Sequence, residues 1–197
     1  IDRNTAQFVG GYPANNALLW GARGTGKSSL IHALLNRYGE LGLRLVEVDK
    51  NALADISEIG MKLRDEPYRF VIVCDDLSFE ADDPSFKELK SALEGSVFGQ
   101  SENVLIYATS NRRHLIPEYM SDNLAATHSQ GELHDGEAVE EKISLSDRFG
   151  LWLSFHPFNQ DQYLRVVRHW LERLALIHEV EFVWNDDVRQ SSLQWAL

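Results

Sequence analysis

The stretch Gly21-Ala22-Arg23-Gly24-Thr25-Gly26-Lys27-Ser28 fits the pattern G-x-x-x-x-G-K-[ST], which is typical of a phosphate-binding loop. Its glycines allow backbone dihedrals that side chains forbid, so several N–H groups can point into one cavity. An apolar run at 17–20 precedes the loop, and residues 29–35 follow it with helical spacing. This order predicts a strand, a polyphosphate-binding loop and a helix whose positive dipole end adds to the attraction.

The same loop predicts ATP and Mg2+ as ligands. Lys27 is expected to reach the β- and γ-phosphates as a point charge, and Ser28 to hold Mg2+. The predicted nucleotide-binding residues are Gly21, Ala22, Arg23, Gly24, Thr25, Gly26, Lys27, Ser28 and Ser29. The alternative is a glycine-rich turn without a ligand, but a chance match to the whole pattern has a probability of roughly one per cent at average glycine usage.

Composition and charge limit the possible partners. The 197 residues are 44% hydrophobic and 25% charged, which is typical of a soluble globular protein, and no apolar run is long enough to cross a bilayer. The formal net charge of −11 disfavours broad, non-specific binding to nucleic acid. The single cysteine, Cys74, excludes an intrachain disulfide and fits a reducing cytoplasm. A start at Ile1, without Met or a signal pattern, is typical of an internal fragment.

An acidic pair follows the third predicted strand. After a strand near 43–48 and a helix over 52–64, the apolar run 70–74 leads into Asp75 and Asp76. A carboxylate at the end of a strand beside a phosphate loop can hold magnesium, and a second one can orient an attacking water. We assign Asp75 to magnesium and Asp76 to water. The alternative is a pair of acids that only begins a turn before the helix predicted to run from 84 to about 93.

Polar residues also end the fourth predicted strand, which spans 103–111. Asn111 is the first candidate for a side chain that senses the γ-phosphate, and Thr109 is the second. A fifth strand is predicted at 151–155, followed by a helix over 160–177 that begins at a cap near Asn159 and is expected to bury Trp170. A last helical segment starts near Asn185 and is expected to continue to the end of the chain.

Three stretches lack a regular pattern. Residues 1–16 contain glycine, proline and asparagine, which predicts an irregular lead-in whose Phe8, Val9 or Tyr12 docks on the core or contacts a base. Residues 116–142 are acidic and predict an exposed insertion, whose His128 and His134 are expected to be solvated rather than metal-bound. The basic cluster 112–114 is expected to be a solvated loop, with contact to a phosphate as the alternative.

Taken in order, these motifs resemble those of an AAA+ ATPase core. Residues 21–28 are similar to the Walker A motif, with an additional glycine at Gly24, and residues 70–76 resemble Walker B. Residues 109–111 resemble sensor 1, and Ser146-Asp147-Arg148-Phe149 resembles the box that carries the arginine finger. More closely, 15–28 and 111–123 look like an uncharacterised prokaryotic family of AAA+-type ATP-binding proteins, and the resemblance covers nearly the whole chain.

The resemblance implies an α/β P-loop NTPase fold with three αβα layers and a parallel five-stranded sheet of order 5-1-4-3-2. It implies a nucleotide-binding domain over 1–158, which contains the 116–142 insertion, and a truncated helical lid over 159–197. It also implies a homo-oligomer in which Arg148 acts in trans on a neighbour's ATP site, where charge grows during hydrolysis. A local salt bridge between Arg148 and Asp147, or a contact of Arg148 with a helix end, is the alternative.

The leading hypothesis is a cytoplasmic ATPase that uses Mg-ATP hydrolysis to act on an unidentified protein or nucleic-acid client. Its predicted catalytic residues are Lys27, Asp76, Asn111 and Arg148. The family pattern usually has Asp-Glu where this chain has Asp75-Asp76, so the water-positioning carboxylate is one methylene shorter and hydrolysis is expected to be slow. A nucleotide-dependent switch is therefore an alternative. A P-loop kinase is less favoured because the 116–142 insertion is acidic, and the resemblance places the sensor 2 arginine after Leu197.

Overall fold

The computed structural model describes residues 1–79, 83–94, 102–112, 115 and 148–195. The strands are β1 (Ala17–Gly21), β2 (Leu43–Glu47), β3 (Arg69–Cys74), β4 (Val104–Ser110) and β5 (Leu151–Phe155). The α-helices are α1 (Asp2–Val9), α2 (Lys27–Tyr38), α3 (Ile56–Leu63), α4 (Pro84–Glu94), α5 (Gln160–Ile177) and α6 (Asp186–Gln194). Two 3-10 segments, Gly39–Leu41 and Lys50–Asp55, lie before β2 and α3.

The five strands form one parallel sheet in the order β2-β3-β4-β1-β5. This confirms the predicted order, since 5-1-4-3-2 is the same arrangement read from the other edge. β1 lies between β4 and β5, so that Trp20 is opposite Ser110 on one side and Ser154 on the other. The carboxyl ends of β1, β3 and β4 therefore meet at one edge of the sheet.

Helices cover both faces of this sheet. Successive strand residues point to opposite faces, so each strand contributes to two cores. On one face, Leu18 and Ile72 are buried with residues of α3 and α4. On the other, Leu19 and Val71 are buried with residues of α1 and α2. The result is the three-layer αβα arrangement expected for the fold class.

The prediction of an irregular segment at 1–16 was wrong for its first half, because residues 2–9 form α1. The two glycines that suggested irregular chain lie after the helix and end it: the N–H of Gly10 donates to Ala6 O at 3.0 Å, and Gly11 has a φ of 82°. Phe8 is only 2% exposed and packs in the core. Of the two roles proposed for Phe8, docking on the core is the one observed.

The predicted helix at 52–64 is also divided. Ala52 leaves helical dihedrals, with φ −112° and ψ 15°, so a 3-10 segment precedes α3 instead of one continuous helix.

Among the helices of the described residues, none combines the length and apolar character that crossing a membrane requires.

The chain divides into two compact units, Ile1–Phe155 and His156–Leu197. In the second unit, Asn159 caps α5 as predicted, because its side chain accepts a hydrogen bond from the N–H of Gln162 and its own N–H donates to the Gln162 side chain. The prediction for α6 was wrong at its end, since the helix stops at Gln194. Trp170, expected to be buried, is 54% exposed. Of the described residues in this two-helix unit, only Leu164 and Ser192 are buried.

Candidate functional site

The loop between β1 and α2 has three glycines with positive φ: 134° at Gly21, 74° at Gly24 and 88° at Gly26. At Gly21 close packing also requires glycine, because a Cβ atom there would lie 2.0 Å from the carbonyl oxygen of Phe155. The N–H of Ala22 donates to that same oxygen at 3.0 Å. The end of β5 therefore fixes the start of the loop, and its last glycine caps α2.

Lys27 is the buried cation of the loop, with an exposed fraction of 7%. Its Nζ donates to the carbonyl oxygens of Gly21 and Ala22, both at 2.9 Å, and to Oδ1 of Asn111 at 3.0 Å. Burial lowers the pKa of the Lys27 ammonium, and the negative charge of Asp76 opposes this shift. The sheet edge thus holds a partly desolvated cation at the floor of the loop.

Ser28 and Asp75 form a hydroxyl–carboxylate pair beside this lysine. Oγ of Ser28 donates to Oδ1 of Asp75 at 2.6 Å, and Oγ1 of Thr109 donates to the same oxygen at 2.5 Å. Burial acts to raise the pKa of the Asp75 carboxyl, but the hydrogen bonds from Ser28 and Thr109 outweigh it and hold the pKa below its ordinary value. A hydroxyl and an ionised carboxylate are ligands that Mg2+ accepts, so this pair fits a magnesium ion.

Asp76 has both carboxylate oxygens engaged. Its Oδ1 accepts a hydrogen bond from Nδ2 of Asn111 at 2.5 Å, and Nη2 of Arg23 lies 3.8 Å from its Oδ2. Its backbone has a φ of 51°, which aspartate tolerates better than most residues other than glycine. The N–H of Asp76 donates to Oγ1 of Thr109 at 2.9 Å. Thr109 therefore contacts both acids of the pair.

These side chains surround one cavity of about 310 Å³. Its size lies at the lower end of the range of about 300–1,000 Å³ found for small-molecule sites. The lining residues are Arg23, Gly24, Thr25, Gly26, Lys27, Ser28, Ser29, Asp75, Asp76, Thr109 and Asn111. Gly21 and Ala22 contribute the carbonyl oxygens that hold Lys27. Arg148 is exposed in a turn before β5 and does not belong to this lining set.

Two contributions to the cavity were not anticipated from the sequence. Thr109 was predicted only as a second choice for sensing phosphate, whereas its hydroxyl bonds the Asp75 carboxylate. Cys74 pairs with Ala108, so the residues that follow them, Asp75 and Thr109, lie side by side. The sequence alone does not give this register. Arg23 was predicted only as part of the loop, and its approach to Asp76 had no signal in the pattern.

Several sequence predictions lie outside the described residues: the 116–142 insertion with His128 and His134, and the basic residues 113–114. Arg112 is described and exposed. Within the described part of the chain, no group of three or more His, Cys, Asp or Glu residues is placed to hold a metal ion. The predicted magnesium ligands are of a different type, namely one hydroxyl and one carboxylate.

The fold has counterparts among solved structures. The Holliday junction branch migration motor RuvB of Thermotoga maritima is 18% identical, with a TM-score of 0.53 over 90% of this chain and 48% of that one. ORC1 of Aeropyrum pernix, solved in complex with DNA, is 18% identical, with a TM-score of 0.59 over 87% and 47%. AMPPCP-bound DnaA of Aquifex aeolicus is 15% identical, with a TM-score of 0.54 over 96% and 54%. The chain spans about half the length of each.

At these identities the likeness establishes the fold, which is that of the AAA+ P-loop NTPases. A comparison with curated proteins found no significant match. The sequence itself matches, over residues 1–197, the family described as "Protein of unknown function (DUF815)". The chain therefore belongs to the DUF815 family and has an AAA+ P-loop fold.

Proposed function

We propose that the chain is a cytoplasmic AAA+-type ATPase, which hydrolyses Mg-ATP to remodel or regulate a macromolecular partner. The observation that carries the proposal is the convergence of Lys27, the Ser28–Asp75 pair and the Asp76–Asn111 pair on one cavity. Phosphoryl transfer to water needs a cation near the phosphates, ligands for a metal and a group that orients the water. The cavity contains side chains of all three kinds.

Lys27 is suited to bind the phosphates. Its Nζ is held by the carbonyls of Gly21 and Ala22 and by the amide oxygen of Asn111. A phosphate oxygen is a stronger acceptor than these neutral groups, because its negative charge adds a Coulomb attraction to the ammonium. The low exposure of Lys27 strengthens this attraction further, since water screens it less.

Ser28 and Asp75 would hold Mg2+. When bound, the ion neutralises charge on the phosphate oxygens and fixes their orientation. Asp75 can serve at neutral pH because its hydrogen-bonded carboxylate has a lowered pKa and is ionised. Thr109 would act as a positioning residue, since its hydroxyl contacts Oδ1 of Asp75.

Asp76 and Asn111 would handle the attacking water and the γ-phosphate. Asp76 would orient the water and take up its proton, and the amide of Asn111 would contact the γ-phosphate between Lys27 and Asp76. Asn111 bonds both Lys27 and Asp76, so it links the phosphate-binding cation to the water-orienting carboxylate. Asn111 and Arg23 compete with water for the Asp76 carboxylate.

Arg148 is proposed to act in trans within a homo-oligomer. It is exposed and does not line its own chain's cavity, as an arginine that serves a neighbour requires. The similar protein RuvB is described as a motor, and ORC1 was solved in complex with DNA, which supports a nucleic-acid client. The net charge of −11 instead favours a protein client or a locally restricted contact with nucleic acid.

A second candidate function is a nucleotide-dependent binding module that hydrolyses ATP very slowly. The contacts of both Asp76 carboxylate oxygens favour it, because Asn111 and Arg23 compete with the attacking water for the carboxylate. The variant Asp76→Glu separates the two functions. A large gain in turnover means that the missing methylene limits an ATPase, whereas no gain together with intact binding favours the switch.

The test of the ATPase proposal is turnover as a function of protein concentration, for wild type, Arg148→Ala and Arg37→Ala. The last is a matched control, since it removes another exposed arginine, one that pairs with Asp2 at 3.3 Å. The proposal expects specific activity to rise with concentration and to fall at least about 100-fold in Arg148→Ala, with ATP binding retained. If specific activity does not depend on protein concentration and is unchanged in Arg148→Ala, a role of Arg148 in trans is contradicted.

A further inference from the structure

Among the residues that the structure describes, Arg23 is the one arginine that lines the cavity. It follows Ala22 in the loop, and its side chain is 86% exposed. Its described contact in the site is the ion pair with Asp76, in which Nη2 and Oδ2 are 3.8 Å apart. The cavity thus contains two cations in different environments: Lys27 is buried at the floor, and Arg23 is exposed at the rim.

The two contacts of the Asp76 carboxylate, with Asn111 and with Arg23, differ in strength. Asn111 is fixed from both ends, because it donates to Asp76 at 2.5 Å and accepts from Lys27 at 3.0 Å. Arg23 has a long, solvent-exposed contact, and ion pairs of that kind contribute little to stability. Of the two contacts that occupy Asp76, the one with Arg23 is the easier to break.

A phosphate in the cavity would compete with Asp76 for Arg23. The guanidinium group is planar and offers paired N–H donors that match phosphate oxygens, whereas its present contact with Asp76 is long. A triphosphate also carries more negative charge than a diphosphate, and the additional charge lies on its terminal phosphate. A rim cation beside the residue proposed to orient water is well placed to detect that difference.

We propose that Arg23 is a specificity-determining residue, which exchanges Asp76 for the terminal phosphate of a nucleoside triphosphate and thereby distinguishes it from a diphosphate. This inference rests on the proposed function, because it requires that the cavity binds nucleotides. With a diphosphate bound, the Arg23–Asp76 pair persists, and the guanidinium competes with water for Oδ2 of Asp76. With a triphosphate bound, Arg23 moves to the terminal phosphate and no longer competes with water for Oδ2. One side chain would thus couple recognition of the third phosphate to release of the carboxylate.

The first experiment measures dissociation constants for ADP and for AMPPCP, both with Mg2+, by titration calorimetry on wild type, Arg23→Ala, Arg23→Lys and Arg37→Ala. We expect Arg23→Ala to weaken AMPPCP binding about tenfold, the size of one charge-assisted hydrogen bond, and to leave ADP binding within about twofold. Arg23→Lys should restore part of the loss, and the control Arg37→Ala should resemble wild type. An unchanged ADP-to-AMPPCP ratio in Arg23→Ala would overturn the inference.

A double-mutant cycle with Asp76→Ala tests the exchange itself. Removing the carboxylate should tighten AMPPCP binding in the wild-type background, because it frees Arg23 and removes a repulsive charge. In the Arg23→Ala background only the removal of the repulsive charge remains. The gain in AMPPCP affinity should therefore be at least about threefold smaller there. Equal gains in both backgrounds would show that Arg23 is not released from Asp76, against the proposal.

Failure of the inference and failure of the proposed function give different results. If folded wild-type protein binds neither ADP nor AMPPCP, the proposed function fails and the inference with it. If it binds both, and Arg23→Ala weakens them equally or leaves them unchanged, the nucleotide site stands and only the role of Arg23 is lost. Thermal unfolding of each variant without nucleotide confirms that the comparison is made between folded proteins.

Discussion

Among the described residues of the first compact unit, two polar networks differ in burial and charge. The cavity network, at the carboxyl ends of β1, β3 and β4, comprises Arg23, Lys27, Ser28, Asp75, Asp76, Thr109 and Asn111. The α1 network, which joins α1 to β4 and to the start of β1, comprises Asn4, Thr5, Asn15 and Tyr107. Both contain several hydrogen bonds within a small volume. One contains ionised groups around an open cavity, and the other consists of neutral groups, of which Asn4, Thr5 and Tyr107 are buried and Asn15 is exposed.

The α1 network is internally satisfied. Nδ2 of Asn4 donates to the Tyr107 hydroxyl at 3.0 Å and to Asn15 O at 2.8 Å, and the N–H of Asn15 donates back to Asn4 Oδ1 at 3.0 Å. The hydroxyls of Thr5 and Tyr107 are 2.9 Å apart and hydrogen-bonded. Burial raises the pKa of the Tyr107 phenol, so it stays neutral. Such a network fixes how α1 docks and leaves little for a ligand to bind.

The cavity network differs because its groups have partners that a ligand can replace. Lys27 bonds neutral carbonyls and an amide, and Asp76 is shared between a firm contact and a weak one. Ionised groups at an open site interact strongly with an anion or a metal, whereas buried neutral groups do so only at the cost of desolvation. Burial and charge, rather than the number of hydrogen bonds, therefore separate a candidate site from a structural network.

The largest expected effect comes from Gly21→Ala, which acts at the cavity network. The added Cβ would meet Phe155 O at 2.0 Å in a backbone with φ 134°, so both the loop and the end of β5 must shift. We expect a loss of about 3 kcal/mol in the free energy of unfolding from overpacking and strain. Nucleotide affinity should fall at least about 100-fold, or by 2.7 kcal/mol or more. Urea unfolding and nucleotide titration measure the two losses.

The control is Gly42→Ala, before β2. Its φ of 98° imposes similar strain, but an added Cβ meets no atom within 4 Å. We expect about 1–2 kcal/mol of destabilisation with unchanged nucleotide affinity. If Gly42→Ala weakens nucleotide binding as much as Gly21→Ala does, the effect is general destabilisation and the contrast between the two positions is lost.

Lys27→Ala should separate function from stability within the cavity network. Turnover is expected to fall at least about 100-fold, because the side chain provides the main charge stabilisation at the phosphates. The free energy of unfolding should change by less than about 1 kcal/mol, since water in the open cavity can replace the ammonium at its three acceptors. Lys62→Ala, which removes an exposed lysine paired with Glu58, is the matched control. Equal turnover in both variants would contradict the assignment.

Tyr107→Phe should produce the opposite result in the α1 network. Loss of the hydroxyl removes a hydrogen-bond partner of both Asn4 and Thr5 in the interior, at a cost of about 2 kcal/mol. For a chain of this size the melting temperature should fall by about 4–8 °C, with unchanged nucleotide affinity. Tyr12→Phe, at a 69% exposed position, should change neither quantity. A loss of nucleotide affinity in Tyr107→Phe would show that the two networks are coupled.

The sequence predicted the cavity network better than the α1 network, for a physical reason. Phosphate binding imposes a fixed spacing from Gly21 to Ser28, and parallel strands bring polar residues at their carboxyl ends to one edge. Asp75, Asp76 and Asn111 could therefore be placed near Lys27 without coordinates. The contacts of Asn4 and Asn15 depend on how α1 packs, and the bonds of Thr109 and Arg23 depend on strand register and loop conformation. Local patterns do not determine either.

The smallest expected effect is a pH dependence of stability from Asp75. Its folded-state pKa is lowered from 3.8, despite burial, by hydrogen bonds from Ser28 and Thr109. A carboxyl with a depressed folded-state pKa stabilises the fold fully above its unfolded pKa, and the contribution is lost as the pH falls through the folded pKa. The difference in unfolding free energy between wild type and Asp75→Asn should therefore be constant from pH 7 to about 5 and shrink below about pH 4.

Urea unfolding between pH 7 and 2.5 measures this difference, with Asp65→Asn as the control at an exposed carboxylate. A difference that stays constant to pH 2.5 would mean that the Ser28 and Thr109 hydroxyls do not favour the ionised form. Mg2+ would then have to compete only with water for Asp75. A difference that shrinks as expected means that the cavity network holds Asp75 ionised before any metal arrives. The α1 network cannot produce this signature, because its groups are neutral across the same range of pH.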